Sequence, residues 1–196
     1  MTDRLVIKGN TTKERIIQTA IGVFSEKGFH ETRMEEIAER ASVAKGTIYL
    51  YFRTKKELFS SLFSYTLHLI EERITKANRK EPNPRVRLEN VPRVLLEILK
   101  EKREFFRLIF HNFLLMDPES RKIFEKWKGN MIAALSSDIQ KIAREKSQAS
   151  VSILARIIFY FLLSLFLGFL TGDLEIEEEK TMREIQLNYC TLLGVI

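Results

Sequence analysis

Residues 32–58 constrain the fold of this chain more tightly than any other stretch. Thr32 stands three residues before Glu35, and Thr54 three residues before Glu57. Both pairs have the form of a capping box, in which a Thr hydroxyl and a Glu carboxylate satisfy the amides that a helix start leaves unpaired. Between these starts, Met34, Ile37, Ala38 and Ala41 form one apolar stripe at helical spacing, Val43 and Ile48 supply the next contacts, and Phe52 closes the group. Two short helices that share a small core across a turn of three or four residues make a helix-turn-helix.

The residues outside that core carry the chemistry. From Arg40 to Lys56 there are five basic residues, Arg40, Lys45, Arg53, Lys55 and Lys56, and no acidic one, interleaved with Thr47, Tyr49 and Tyr51. A short helix with hydroxyls, rings and cations on its open face suits the major groove of double-stranded DNA. Phosphates there take the cations and base edges take the small side chains. Residues 1–60 hold 11 Lys and Arg against 8 Asp and Glu, which is half of the chain's net +6 in under a third of its 196 residues. The clustering points to an anionic partner more than the total does.

The run Val43-Ala44-Lys45-Gly46-Thr47-Ile48-Tyr49-Leu50-Tyr51-Phe52, followed by Lys55 and Glu57-Leu58, resembles the signature of the TetR/AcrR family of bacterial transcriptional regulators. Ala20, Phe24, Gly28, Thr32 and Ile37-Ala38 fall at that family's spacing, so the resemblance covers the first third of the chain. Two positions depart from it. Ser42 stands where Gly is common, in a turn that calls for a left-handed backbone, and Ala44 stands where a capping Ser is common.

The resemblance implies a regulator, most often a repressor, that binds a palindromic operator as a homodimer and carries no cofactor. It implies phosphate contacts from Thr32, Tyr49, Tyr51 and Lys55. Lys45, Gly46 and Thr47 lie nearest the bases, with Arg33 and Leu50 completing the DNA-binding set. Gly46 lets the backbone approach the duplex closely. Two recognition helices then meet successive major grooves about 34 Å apart.

Composition predicts the fold class. Hydrophobic residues make up 45% of the chain, against 8 Gly and 4 Pro. Long stretches free of both point to an all-α protein. We expect an N-terminal three-helix DNA-binding domain over 1–58, with a loose arm at 1–10, and a larger helical ligand-binding and dimerisation domain over 59–196, about nine helices in all. Thr11 and Glu14 predict the first helix start, and Gly28 its end. The fourth helix starts at Lys55 and keeps its apolar spacing to about residue 78, a mechanical link out of the DNA-binding unit. The fifth starts either at Pro84, with a kink near Pro92, or at Asn90 with Pro92 in its first turn. Further helices are expected near 102–115, from Pro118, and over 151–172.

The stretch 157–172 holds 16 residues without a charge, bracketed by Arg156 and Asp173. A membrane span needs about 20, so a buried helix is preferred and no membrane partner is expected. A helix apolar all round must be covered all round, and a second copy of the chain can cover what its own helices leave open. The dimer residues expected on this ground and on the resemblance are Ile157, Phe161, Leu165, Phe169, Ile185, Tyr189 and Leu192.

The resemblance also implies an apolar effector in the C-terminal domain. Phe105, Ile109, Phe110, Phe113, Trp127, Met131, Phe159 and Tyr160 are its candidate lining, against the plainer reading that they fill a core. A single cysteine, Cys190, and a first segment with no apolar run of signal-peptide length predict a cytoplasmic protein. An enzyme finds little support, since there is no Gly-rich phosphate loop, no nucleophile elbow and no metal-spaced pair among His30, His68 and His111. The other readings left open are a regulator without an inducer and a membrane-associated helical protein.

Overall fold

The computed structural model describes residues 11–111, 118–143 and 146–172 and positions 187, 189 and 191. The expected arm at 1–10, Phe113, Ile185 and Leu192 lie outside these, as does the side chain of Phe110. The described elements are all helical: α1 (Thr12–Glu31), α2 (Met34–Arg40), α3 (Lys45–Tyr51), α4 (Lys55–Asn78), α5 (Pro84–His111), α6 (Pro118–Ile142) and α7 (Gln148–Thr171). The all-α architecture, with a helix-turn-helix followed by a larger helical part, is as expected.

Local capping accounts for most helix starts. At α1 the Thr11 hydroxyl accepts from the Glu14 amide and the Glu14 carboxylate accepts from the Thr11 amide, a complete capping box. At α4 the Thr54 hydroxyl accepts from the Glu57 amide at 3.0 Å, while the Glu57 carboxylate reaches one residue further back, to the Arg53 amide. Asn83 decides between the two starts of the fifth helix. Its side-chain oxygen accepts from the Arg85 amide at 2.9 Å, so α5 opens at Pro84, where a missing N–H costs nothing. Pro92 then lies inside the helix, and the irregular backbone falls not there but at Lys102 (φ −134°, ψ 27°). The helix expected near 102–115 is thus the continuation of α5 beyond this break.

The box expected at Thr32 is not formed. The N-cap of α2 is Arg33, with no side-chain cap, and Thr32 is buried with its hydroxyl donating to the Gly28 carbonyl at 2.8 Å. The reason lies in α1, which breaks at Gly28 (φ 79°) and takes one more turn to Glu31. Thr32 therefore closes the helix behind it instead of opening the one ahead.

One apolar core runs from Ile16 on α1, through Ile37, Ile48 and Phe52 of the helix-turn-helix, to Phe106 on α5 and Phe169 on α7. Helix α4 belongs to both ends of it. Leu58 and Leu62 sit under the DNA-binding unit, and Leu67, Ile70 and Ile74 enter the larger bundle. Helix α7 buries Val151, Ala155, Ile158, Phe159, Leu162 and Phe166, and leaves Ile153, Ile157, Tyr160 and Leu167 exposed. By length and hydropathy α7 meets the requirement for a membrane span. These exposed residues stand four, three and seven apart, which is one stripe of a helix and not a whole circumference.

Candidate nucleic-acid interface and effector cavity

The turn between α2 and α3 is built from backbone bonds. The Ala41, Ser42 and Val43 amides donate to the carbonyls of Ile37, Glu39 and Ala38. Ser42 has φ 54°, the left-handed conformation that its position suggested, and Ala44 caps α3 with no side-chain bond. Ile48 and Phe52 anchor α3 on the core, which leaves Lys45, Gly46, Tyr49 and Leu50 outward along the helix, with Tyr51 and Arg53 also exposed at its end. Thr47 is half-buried and Arg33 is exposed at the start of α2.

Glu35 organises the polar side of this surface. One carboxylate oxygen lies 2.8 Å from the Lys45 ammonium and accepts from the Tyr49 hydroxyl at 3.2 Å. The Lys45 bond is the chief reason that the Glu35 carboxyl is held down to about 2, and the same bond raises Lys45. Burial, and then the bond to Glu35, pushes the Tyr49 phenol up. Behind this trio, Glu36 bonds Lys27 and Arg40, and Arg40 also reaches Glu26, which ties α2 to α1. Sequence reasoning assigned Glu35 to a cap and so missed it as a surface group. No periodicity within α2 reports its bonds, because they depend on the angle at which α3 crosses.

Two expected phosphate contacts have other partners in the structure. Thr32 has its hydroxyl committed to Gly28, as described. The Lys55 ammonium donates to the carbonyls of His30 and Thr32, each at 2.8 Å, and lies over the Phe29 ring at 4.8 Å. It satisfies carbonyls left open by the end of α1 and fixes the first turn of α4 against them.

The expected effector lining divides in a similar way. An apolar cavity of about 40 Å³ lies between four helices. Its walls are Leu67, Ile70 and Ile74 of α4, Val91 and Leu95 of α5, Phe124, Trp127, Met131 and Leu135 of α6, and Phe159, Leu162, Leu163 and Phe166 of α7. Trp127, Met131 and Phe159 are among the residues expected. Phe105 and Ile109 are buried elsewhere in the core, and Tyr160 points out of the bundle, half exposed. The α4 and α5 contributions were not among the expected lining residues. The Trp127 indole N–H is buried without an acceptor in this otherwise apolar wall.

On the expected dimer face Ile157 is exposed, while Phe161 and Leu165 are partly buried against the core. Phe169 and Tyr189 are fully buried within the chain, with Tyr189 stacked on Phe161 at 6.5 Å. The outward stripe consists instead of Ile153, Ile157, Tyr160 and Leu167. The rotation of α7 about its axis decides which residues these are, and an all-apolar run carries no record of that rotation.

Comparison with known proteins agrees with the geometry. Residues 16–62 match the family model for bacterial regulatory proteins of the tetR family. The fatty acid metabolism regulator protein of Bacillus subtilis (strain 168) is 40% identical over 72 residues, 34% of this chain and 37% of its own length. The HTH-type transcriptional regulator YerO of the same organism is 26% identical over 187 residues, covering 87% of this chain and 61% of its own. Across the first curated relatives the alignments span between 32% and 61% of their length. Among solved structures, the transcriptional regulator FadR from Bacillus subtilis in complex with stearoyl-CoA superposes with a TM-score of 0.72 at 21% identity, covering 92% of this chain and 96% of that one. The relatives and neighbours are transcriptional regulators, not enzymes. The signature over 43–58, the exposed recognition helix and these matches together identify residues 16–62 as a DNA-binding domain of the tetR family of bacterial regulatory proteins, in a chain with the fold of such regulators.

Proposed function

We propose that the chain is a repressor that binds a palindromic operator as a homodimer and is released by a small molecule with a long apolar chain, a fatty acyl thioester in first place. The observation that carries the DNA half of this reading is α3, held by Ile48 and Phe52 with Lys45, Gly46, Tyr49 and Leu50 turned outward. Arg33, Thr47, Tyr51 and Arg53 complete the contact set, and Thr32 and Lys55 hold the unit in shape. Residues 1–58 read DNA and 59–196 sense and dimerise, with α4 common to both. The site of action is the cytoplasm, and no membrane is involved.

The apolar cavity, the unpaired Trp127 donor and the neighbour solved with stearoyl-CoA support the effector. An acyl oxygen can accept from the indole while the chain lies along α4 and α7. The cavity is narrow, so its walls must part as the ligand enters, and α4 is the wall that reaches the DNA-binding unit. The exposed stripe of α7 supports the homodimer, since two such stripes can cover each other. The narrowness also favours a second reading, a regulator that has no small-molecule inducer.

The test is binding of the full chain to fluorescent DNA from upstream of its own gene, across a salt series, with unrelated DNA as control. Tight selective binding with a slope near 0.9 per neutralised phosphate is expected. Weak binding that ignores every sequence offered, upstream regions and random pools alike, would overturn the reading.

A further inference from the structure

Leu50 is an anomaly on a surface otherwise made of cations, hydroxyls and rings. It is 85% exposed, the highest value among the large exposed apolar residues described, and it sits in the last turn of α3 on the side that the helix turns outward. One turn before it stands Gly46, where even an added Cβ would meet nothing within 4 Å. Residues four apart share a helix face, so Leu50 rises from this face beside a position with no side chain at all. Tyr49 and Tyr51 flank it in sequence, and the exposed cations Lys45 (paired with Glu35), Arg53 and Lys56 stand within six residues of it.

A leucine has no donor and no acceptor. It cannot hold a phosphate or bond to a base edge, so anything it contributes comes from covering its surface with another apolar group. The nearby cations make that group part of a nucleic acid and not of an apolar protein face. The major-groove edges of the four base pairs present hydrogen-bonding groups, and the prominent apolar one is the C5-methyl of thymine.

We infer that Leu50 is a specificity-determining residue and that each half-site of the operator carries a thymine whose C5-methyl packs against it. This rests on the DNA-binding reading above and adds to it a base identity. Gly46 lets the helix come close enough for the contact, since a side chain there would hold the backbone away from the groove.

The experiment begins with selection of preferred sites by the full chain from random duplex DNA. Each thymine of the selected half-site is then replaced in turn by uracil, which removes the methyl group and keeps every hydrogen-bonding atom. One thymine per half-site should cost the wild-type chain about fourfold in affinity when it becomes uracil, the loss expected from one buried methyl. Leu50→Ala should bind the thymine and uracil duplexes equally. Because Leu50 makes no core contact, that variant folds. Selected sites at which no thymine shows a Leu50-dependent loss would overturn this inference alone. A failure to select any sequence would overturn the DNA-binding reading and this inference with it.

Discussion

The Lys45 ammonium is 2.8 Å from the Glu35 carboxylate, a bond between the two helices of the DNA-binding motif. The cation that the sequence offers to DNA is thus already paired in the free protein. On the proposed DNA-binding reading, the duplex competes with this carboxylate for Lys45 and Tyr49, and Glu35 then faces phosphates of its own sign.

Glu35→Gln should therefore tighten DNA binding about threefold at low salt, and the gain should shrink as salt rises. Its pH dependence follows from the depressed carboxyl. A group whose folded pKa lies below its ordinary 4.5 keeps its bond above that value and loses it only as pH falls through about 2. The ratio of variant to parent affinity is expected to be flat from about pH 5 to 8, read by fluorescence anisotropy. A ratio that climbs steeply within that window would mean that Glu35 titrates there and that the Lys45 bond does not hold it.

The turn offers two gains in stability. Ser42→Gly relieves a left-handed backbone at φ 54° and should raise the unfolding free energy by about 0.5–1 kcal/mol. Ala44→Ser adds the cap hydroxyl that α3 lacks and should contribute about 1 kcal/mol. Denaturant titrations of the two variants and of the double variant check both values and their additivity.

On α7, Ile157→Glu places a charge in the outward stripe and leaves the inward face untouched. Sedimentation should show the parent as a dimer and the variant as a folded monomer with parental helix content. A variant that still sediments as the parent does would exclude this stripe from the interface.

The chain has a single tryptophan, and it lines the cavity. Addition of a long-chain fatty acyl thioester should shift its emission and, in parallel, release operator DNA. Leu163→Phe fills the cavity from a partly buried position; about 1–3 kcal/mol of overpacking is expected, with loss of both responses. An emission spectrum that ignores acyl thioesters of every length would favour the regulator without an inducer.

Local signals were legible in the sequence and rotational ones were not. Thr11 with Glu14, and Thr54 with Glu57, mark helix starts because the partners of each cap lie within three residues of it. Thr32 has the same spacing to Glu35, yet its hydroxyl turns back to Gly28, where a broken last turn of α1 leaves a carbonyl to satisfy. Phe159 and Tyr160 are neighbours in an all-apolar run; one lines the cavity and the other faces out, since consecutive helical residues point about 100° apart. The exposed face of α3 was legible because a helix-turn-helix fixes its own geometry within a few residues. The cavity draws on four helices, and its α4 wall became recognisable only when α6 and α7 were set against it.

Helix α4 divides its duties along its length. Thr54 to Leu58 brace the DNA-reading unit, and Leu67, Ile70 and Ile74 face the cavity. No residue serves both ends, and two to three turns of helix lie between them. On the proposed reading, descendants of this chain can exchange the cavity residues one by one, acquiring a taste for a different molecule, while the operator they recognise stays the same. The converse drift, towards new genes under an old signal, is equally open to them.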